Sequence, residues 1–190
     1  MRLANELDEI HRLGREVVAI VVDPPERNSA FAARWGLPFP IHHDPGGLMY
    51  LQPLELWKPN ERGGIALPAL VVLAPNGSLA YQFRSRDFAD RPTDDDLLAT
   101  LAALERAPIA APPPWSSDAA PVEDPGALRT ETFGPYFRGI RFGTIALSAR
   151  MVDARDSDEA RAMSAMAASF LDAWKTRRAH LENGESHIHG

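Results

Sequence analysis

The stretch Glu16-Val17-Val18-Ala19-Ile20-Val21-Val22-Asp23-Pro24-Pro25-Glu26 decides the fold class. Its six central residues are apolar without alternation, the pattern of a strand buried on both faces in a parallel sheet covered by helices. Asp23-Pro24-Pro25 ends the strand. Upstream, Leu3, Leu7, Ile10 and Leu13 recur at helical spacing with Glu6, Asp8, Glu9 and Arg12 opposite, which predicts an amphipathic helix over 2–13 closed by Gly14. Downstream, Phe31, Ala32 and Trp35 share one face of a short helix closed by Gly36. The unit reads helix, strand, helix.

Beyond it, Leu37-Pro38-Phe39-Pro40-Ile41 predicts an extended connector, because each proline disfavours helix for the residue before it. Asp44-Pro45-Gly46-Gly47 predicts a turn, 48–52 a short helix, and 53–64 a polar loop. Ala69 to Leu73 reads as a second apolar strand, and Pro75-Asn76-Gly77 as the turn that returns Leu79 to Phe83 antiparallel. Thr93 then caps a helix over 94–106 that buries Leu97, Leu98, Leu101 and Leu104. The first domain spans 1–106. Residues 107–128, with six prolines among many alanines, have the composition of a semi-rigid linker. A helical C-terminal extension occupies 129–182. Phe133, Tyr136, Phe137, Ile140 and Leu147 mark its first helix. Met163, Met166, Ala167, Phe170, Leu171 and Trp174 mark a second, started by Asp156 and Glu159 and suited to core or to a homodimer contact. Gly139-x-x-x-Gly143 predicts close packing of the first helix onto the first domain. Residues 183–190 read as a flexible tail.

The composition narrows the function. Of 190 residues, 45% are hydrophobic and 24% charged, values of an ordinary globular protein. A net charge of -6 argues against broad binding to nucleic acid or to an anionic membrane surface. The longest strongly apolar run is Val17 to Val22, far short of the roughly 20 residues that cross a bilayer. With no secretory pattern after Met1, the expected location is cytoplasmic. There is no cysteine, so these residues supply no disulfide and no thiolate.

The order of elements resembles the later part of a thioredoxin fold. Val17 to Glu26, Gly36-Leu37-Pro38-Phe39-Pro40, Asp44-Pro45, Leu67-Pro68-Ala69-Leu70-Val71-Val72-Leu73, Pro75-Asn76-Gly77 and Arg86-Asp87-Phe88-Ala89-Asp90-Arg91-Pro92 together resemble the peroxiredoxin-like AhpC/TSA family over residues 1 to about 106. The resemblance implies an α/β, thioredoxin-like sheet flanked by helices and a thiol-dependent antioxidant oxidoreductase acting on a peroxide or a thiol/disulfide substrate. In that family a peroxidatic cysteine precedes the helix that Arg2 to Leu13 resembles. On this reading the chain starts after that cysteine, is N-terminally incomplete and inactive as written, and lacks a middle strand between Val17 to Val22 and Ala69 to Leu73. Each flanking strand would then expose backbone groups at about 1–3 kcal/mol apiece where burial leaves them unpaired. The alternative is a non-catalytic thioredoxin-fold module for protein interaction.

The resemblance places Leu67 and Pro68 facing the active site, with Pro68 as the family's cis-proline; an ordinary trans-proline at a strand start is the plain alternative. Arg84, Arg86, Asp87 and Arg91 could hold an anion or support that surface, and would look the same as a solvated charged loop. His42 and His43 point to opposite faces of an extended segment, so they do not easily share a metal. His187 and His189 lie in the tail. No Ser-His-Asp signature, phosphate loop or HExxH motif is present, and no cofactor is expected.

Overall fold

The computed structural model describes residues 2–61, 63–85, 94–104 and 129–188. It is an α/β chain that divides into two compact units, Glu6–Val122, and Met1–Asn5 together with Glu123–Gly190. The expected linker, Thr93, Arg86, Asp87 and Arg91 lie outside the described residues.

The N-terminal helix is two pieces, α1 (Arg2–Asn5) and α2 (Leu7–Arg12), separated at Glu6, whose ψ of 2° breaks the helical run. Gly14 stops α2 as expected: its N–H donates to His11 O at 2.8 Å while Arg15 N–H reaches Ile10 O at 3.1 Å, the paired bonds of a Schellman end. β1 (Ala19–Val21) follows, then α3 (Pro25–Trp35) with Pro25 in its first turn and Gly36 beyond its end at φ 51°. The buried face of α3 carries Ala30, Ala32 and Trp35, whereas Phe31, expected there, is 49% exposed. Phe31 projects only about 40° around the helix from Trp35, so it borders that face and is half exposed there.

β1 pairs in parallel with β2 (Ile41–His43), Ala19 opposite Ile41 and Val21 opposite His43. The connector is therefore a strand where it meets β1, and Ala19 N–H to Pro40 O and Asp44 N–H to Val21 O extend the ladder at both ends. Two-residue strands β3 (Trp57–Lys58) and β4 (Ile65–Ala66) form an antiparallel pair inside the expected polar loop. β5 (Ala69–Leu73) and β6 (Leu79–Arg84) form the expected hairpin, with Ala69 opposite Arg84 and Asn76 Oδ1 accepting from Ser78 N–H in the turn. Among the described residues these are three separate two-stranded sheets. The expected two-sided burial of Val17 to Val22 is accordingly not reached: all three β1 residues are half-buried and Val18 is 47% exposed. α4 (Asp94–Ala103) buries Leu97 and Leu101.

Between β2 and β3 the chain is organised by one side chain. Asp44 is fully buried, and its carboxylate accepts N–H bonds from Met49 (3.0 Å, Oδ1), Tyr50 (2.9 Å, Oδ2) and Leu51 (3.0 Å, Oδ2). Those donors are thereby taken by a side chain, and residues 48–52 form turns in place of the expected helix. Burial pushes the Asp44 carboxyl up, but the bonds from Met49, Leu51 and Tyr50, helped by nearby His43, outweigh it and hold the group below its ordinary value. Trp57 then lies against backbone: a Cβ on Gly47 would come within 2.9 Å of its ring and one on Gly64 would overlap it, with both glycines at positive φ.

In the other unit, α5 (Phe133–Ser148) and α6 (Ala154–Ile188) make an antiparallel hairpin. Asp153 caps α6, its Oδ1 accepting from Arg155 and Asp156 N–H, so the start lies ahead of the expected Asp156. Phe137 meets Phe170 at 5.2 Å between ring centroids, and Ala167, Leu171 and Trp174 are buried. α1 docks here, with the Arg2 guanidinium 5.4 Å from the Phe170 ring centroid and Asn5 Nδ2 donating to Ala173 O. Gly134, not Gly139 or Gly143, makes the close approach: a Cβ there would stand 3.4 Å from Trp174, while nothing lies within 4 Å of the other two positions. α6 also runs on to Ile188, through the expected flexible tail.

Two outcomes test this account. Asp44→Asn should lower the melting temperature at pH 7 by several degrees, because a neutral amide accepts the three N–H bonds less well. The folded pKa of Asp44 is depressed, so its stabilisation is present above the ordinary carboxylate value near about 4 and is lost as pH falls through the folded value. The gap between wild type and variant should therefore close on acidification, which thermal melts across pH will show. Gly64→Ala should cost about 1–3 kcal/mol in denaturant unfolding, since Trp57 has to move from its place to admit the methyl group.

Candidate functional site

Of the residues singled out from sequence, Leu67, Pro68 and Arg84 lie where three backbone segments are tied side by side. Leu67 N–H donates to Leu56 O at 2.8 Å, joining the entry of β5 to the end of the loop that Asp44 organises. Pro68 O accepts from Ser85 N–H at 2.9 Å, joining the same entry to the exit of β6. Leu67 and Pro68 are half-buried, while Leu56 and Ser85 are buried. Every described peptide bond is trans, so Pro68 is not the cis-proline expected from resemblance. Physically, Leu67 N–H and Pro68 O are engaged on Leu56 and Ser85, and an extended trans link carries the chain from β4 to β5 between those two anchors.

Arg84 closes the arrangement. Its exposed guanidinium donates Nη1 to Glu55 O at 3.3 Å, and Gln82 from the same strand donates Nε2 to Leu54 O at 2.9 Å. Glu55 sits at φ 57°, the one non-glycine residue at positive φ among those described, and its N–H donates to Gln52 O. Backbone in this region is uncommon for a residue with a Cβ and persists where neighbours fix it on both sides. Arg84 is thus a brace for the Glu55 carbonyl, and an anion drawn to it would compete with that bond. Arg86, Asp87 and Arg91, the rest of the expected charged set, lie outside the described residues.

The titratable groups around this region are few. Burial, and then the Asp96 carboxylate, push the Tyr81 phenol on β6 above its ordinary value, so it stays protonated at neutral pH. His42 is exposed and His43 half-buried on alternate faces of β2. Among the described residues no three His, Asp or Glu side chains stand close enough to hold a metal ion. No helix among them is long and apolar enough to cross a membrane.

Sequence reading singles out Leu67, Pro68 and Arg84 in this arrangement and does not single out Asp44 and Glu55. Asp44 stood in view as the head of an Asp-Pro-Gly turn, a position where a side-chain oxygen commonly takes backbone N–H groups further along the chain. Glu55 carries no local signal, since glutamate has no preference for positive φ. The arrangement can hold three chain segments in fixed register and present an arginine beside them. It offers no thiol for redox chemistry, because the chain contains no cysteine.

No curated protein matches the chain. Residues 1–82, from α1 into β6, match the model of the AhpC/TSA family. That span contains Asp44 and its loop, β1 to β5, and the Leu67-Pro68 entry, and stops short of Arg84 and Ser85. Over residues 1–82 the chain is similar to the AhpC/TSA family.

Proposed function

We propose that this chain is the scaffold of a peroxiredoxin-like, thiol-dependent peroxide reductase whose peroxidatic thiolate lies outside these 190 residues. The observation that carries the reading is the AhpC/TSA match over residues 1–82 in a chain with no cysteine. In the reaction a thiolate sulfur attacks one peroxide oxygen, the O–O bond breaks, and the products are a sulfenic acid and, after proton uptake, water or an alcohol. A second thiol then condenses with the sulfenic acid to a disulfide and water. On this reading the domain is a thioredoxin-like sheet lacking its middle strand, in a cytoplasmic, thiol-reducing setting. β1 and β5 support it: both are apolar on two faces, and among the described residues each is paired along one edge only. Leu67 and Pro68 would line the active-site side, with Arg84, Arg86, Asp87 and Arg91 supporting it.

A second reading is a non-catalytic interaction module on the same scaffold. Exposed Leu48 and Met49 in one unit, and Phe142 and Ile145 in the other, favour it.

The 190-residue chain should consume peroxide no faster than buffer with thiol reductant present. Turnover by this chain would overturn the first reading. In-frame coding sequence upstream of Met1 that encodes a strand and a cysteine should yield an active protein, with activity lost on Cys→Ser replacement. Upstream sequence that opens with a stop codon would sink the peroxidase reading and leave the interaction module.

A further inference from the structure

With no cysteine in the chain, thioether is its only form of sulfur, carried by five methionines. Four are described, and their surroundings differ sharply. Met49 is 67% exposed and Met151 39%, whereas Met163 and Met166 are half-buried on α6 beside the fully packed Ala167. Met49 also differs in how it is held. Its N–H is fixed on Asp44 Oδ1 at 3.0 Å, and the next two N–H groups are fixed on Oδ2 of the same carboxylate. The backbone of the loop cannot fold its apolar tip inward without giving up bonds to a buried carboxylate. Leu48, Met49 and Tyr50 therefore stay on the outside, at 70%, 67% and 37% exposure.

We propose that Met49 is a peroxide-modification site, the first of the four described methionines to be oxidised by a hydroperoxide. The thioether sulfur donates an electron pair to one peroxide oxygen, an S–O bond forms as the O–O bond breaks, and the second oxygen leaves as water or alcohol after proton transfer. Sulfur is oxidised by two electrons and the peroxide is reduced by two, so no further reactant is needed. The product sulfoxide is polar and reversible by methionine sulfoxide reductases. At Met49 it places a strong acceptor in the middle of an apolar tip while the bonds to Asp44, which take only backbone N–H groups of residues 49–51, stay intact. On α6 the same oxygen would enter the packed hairpin and loosen it. The inference does not rest on the peroxidase reading, since it needs no thiolate.

The test exposes the full chain to limiting hydrogen peroxide at neutral pH, stops the reaction with catalase, and maps sulfoxide by peptide mass spectrometry over time. Met49 should gain oxygen several times faster than Met151, and faster again than Met163 and Met166. The melting temperature should be unchanged after the first oxygen. Met49→Leu should remove the fastest component and leave the other three rates as they were. Oxidation of Met151, Met163 or Met166 at or ahead of the rate at Met49 would overturn the proposal. So would a fall in melting temperature that tracks the first oxygen.

Discussion

A carboxylate with no exposure to water is costly unless its oxygens are answered, and Asp44 answers both of its own with backbone N–H groups from three successive residues. The rest of the N-terminal site depends on that solution. Residues 48–56 have no regular secondary structure to hold them, yet their conformation is fixed: Gln52 N–H on Gly47 O, Leu56 N–H on Leu51 O, and Gln52 Nε2 on Gly46 O all require the loop to leave Asp44 at one angle. Leu56 then receives Leu67, and through Leu67 and Pro68 the loop sets where β5 begins. A side chain five to seven residues away from its partners thus does what a ladder does elsewhere in the fold.

The strands show the complementary constraint. β1 and β5 are built from Ala, Ile, Leu and Val alone, residues that suit burial on two faces, but among the described residues each has a partner on one edge. The result is visible in exposure: Val18, Leu73 and Leu79 are each about half exposed or more. Edge strands of this composition are a liability in a monomer, because bare N–H and C=O groups beside apolar side chains attract a further strand. The Pro68 O to Ser85 N–H bond, and Arg84 and Gln82 reaching back to the 54–55 carbonyls, strengthen the β5/β6 pair where its own sheet is thinnest.

Legibility from sequence followed the range of the interactions. The β5/β6 hairpin, the ends of α2 and α3 at Gly14 and Gly36, and the α6 stripe are written locally, in turn chemistry, capping glycines and period, and were readable. Glu6 hides a helix break because glutamate is a good helix former and the Leu3, Leu7, Ile10 stripe runs straight through it. β2 hides between prolines as a three-residue strand that exists by pairing with β1. β3 and β4 are shorter still, and what places them is the Trp57 ring lying on Gly47 and Gly64, a contact no window of sequence contains. At Pro68 the resemblance implies a cis bond, whereas the bond is trans between the Leu56 and Ser85 anchors, because resemblance carries a family's geometry and not this chain's.

The N-terminal break also explains why one amphipathic pattern serves two units. α1 belongs with the α5/α6 hairpin, where Asn5 and Arg2 take Ala173 and Phe170 as partners, whereas α2 belongs with the unit that holds the family-matched site. The non-helical step falls at Glu6, and beyond it Leu7, Ile10 and Leu13 are each at most 6% exposed. The family match begins at residue 1 and takes in the whole of α1, so its first five residues group with a helical hairpin that the match does not cover. Sequence kinship and packing therefore draw different boundaries in this chain, and the packing boundary falls between Asn5 and Glu6, where the helix is broken.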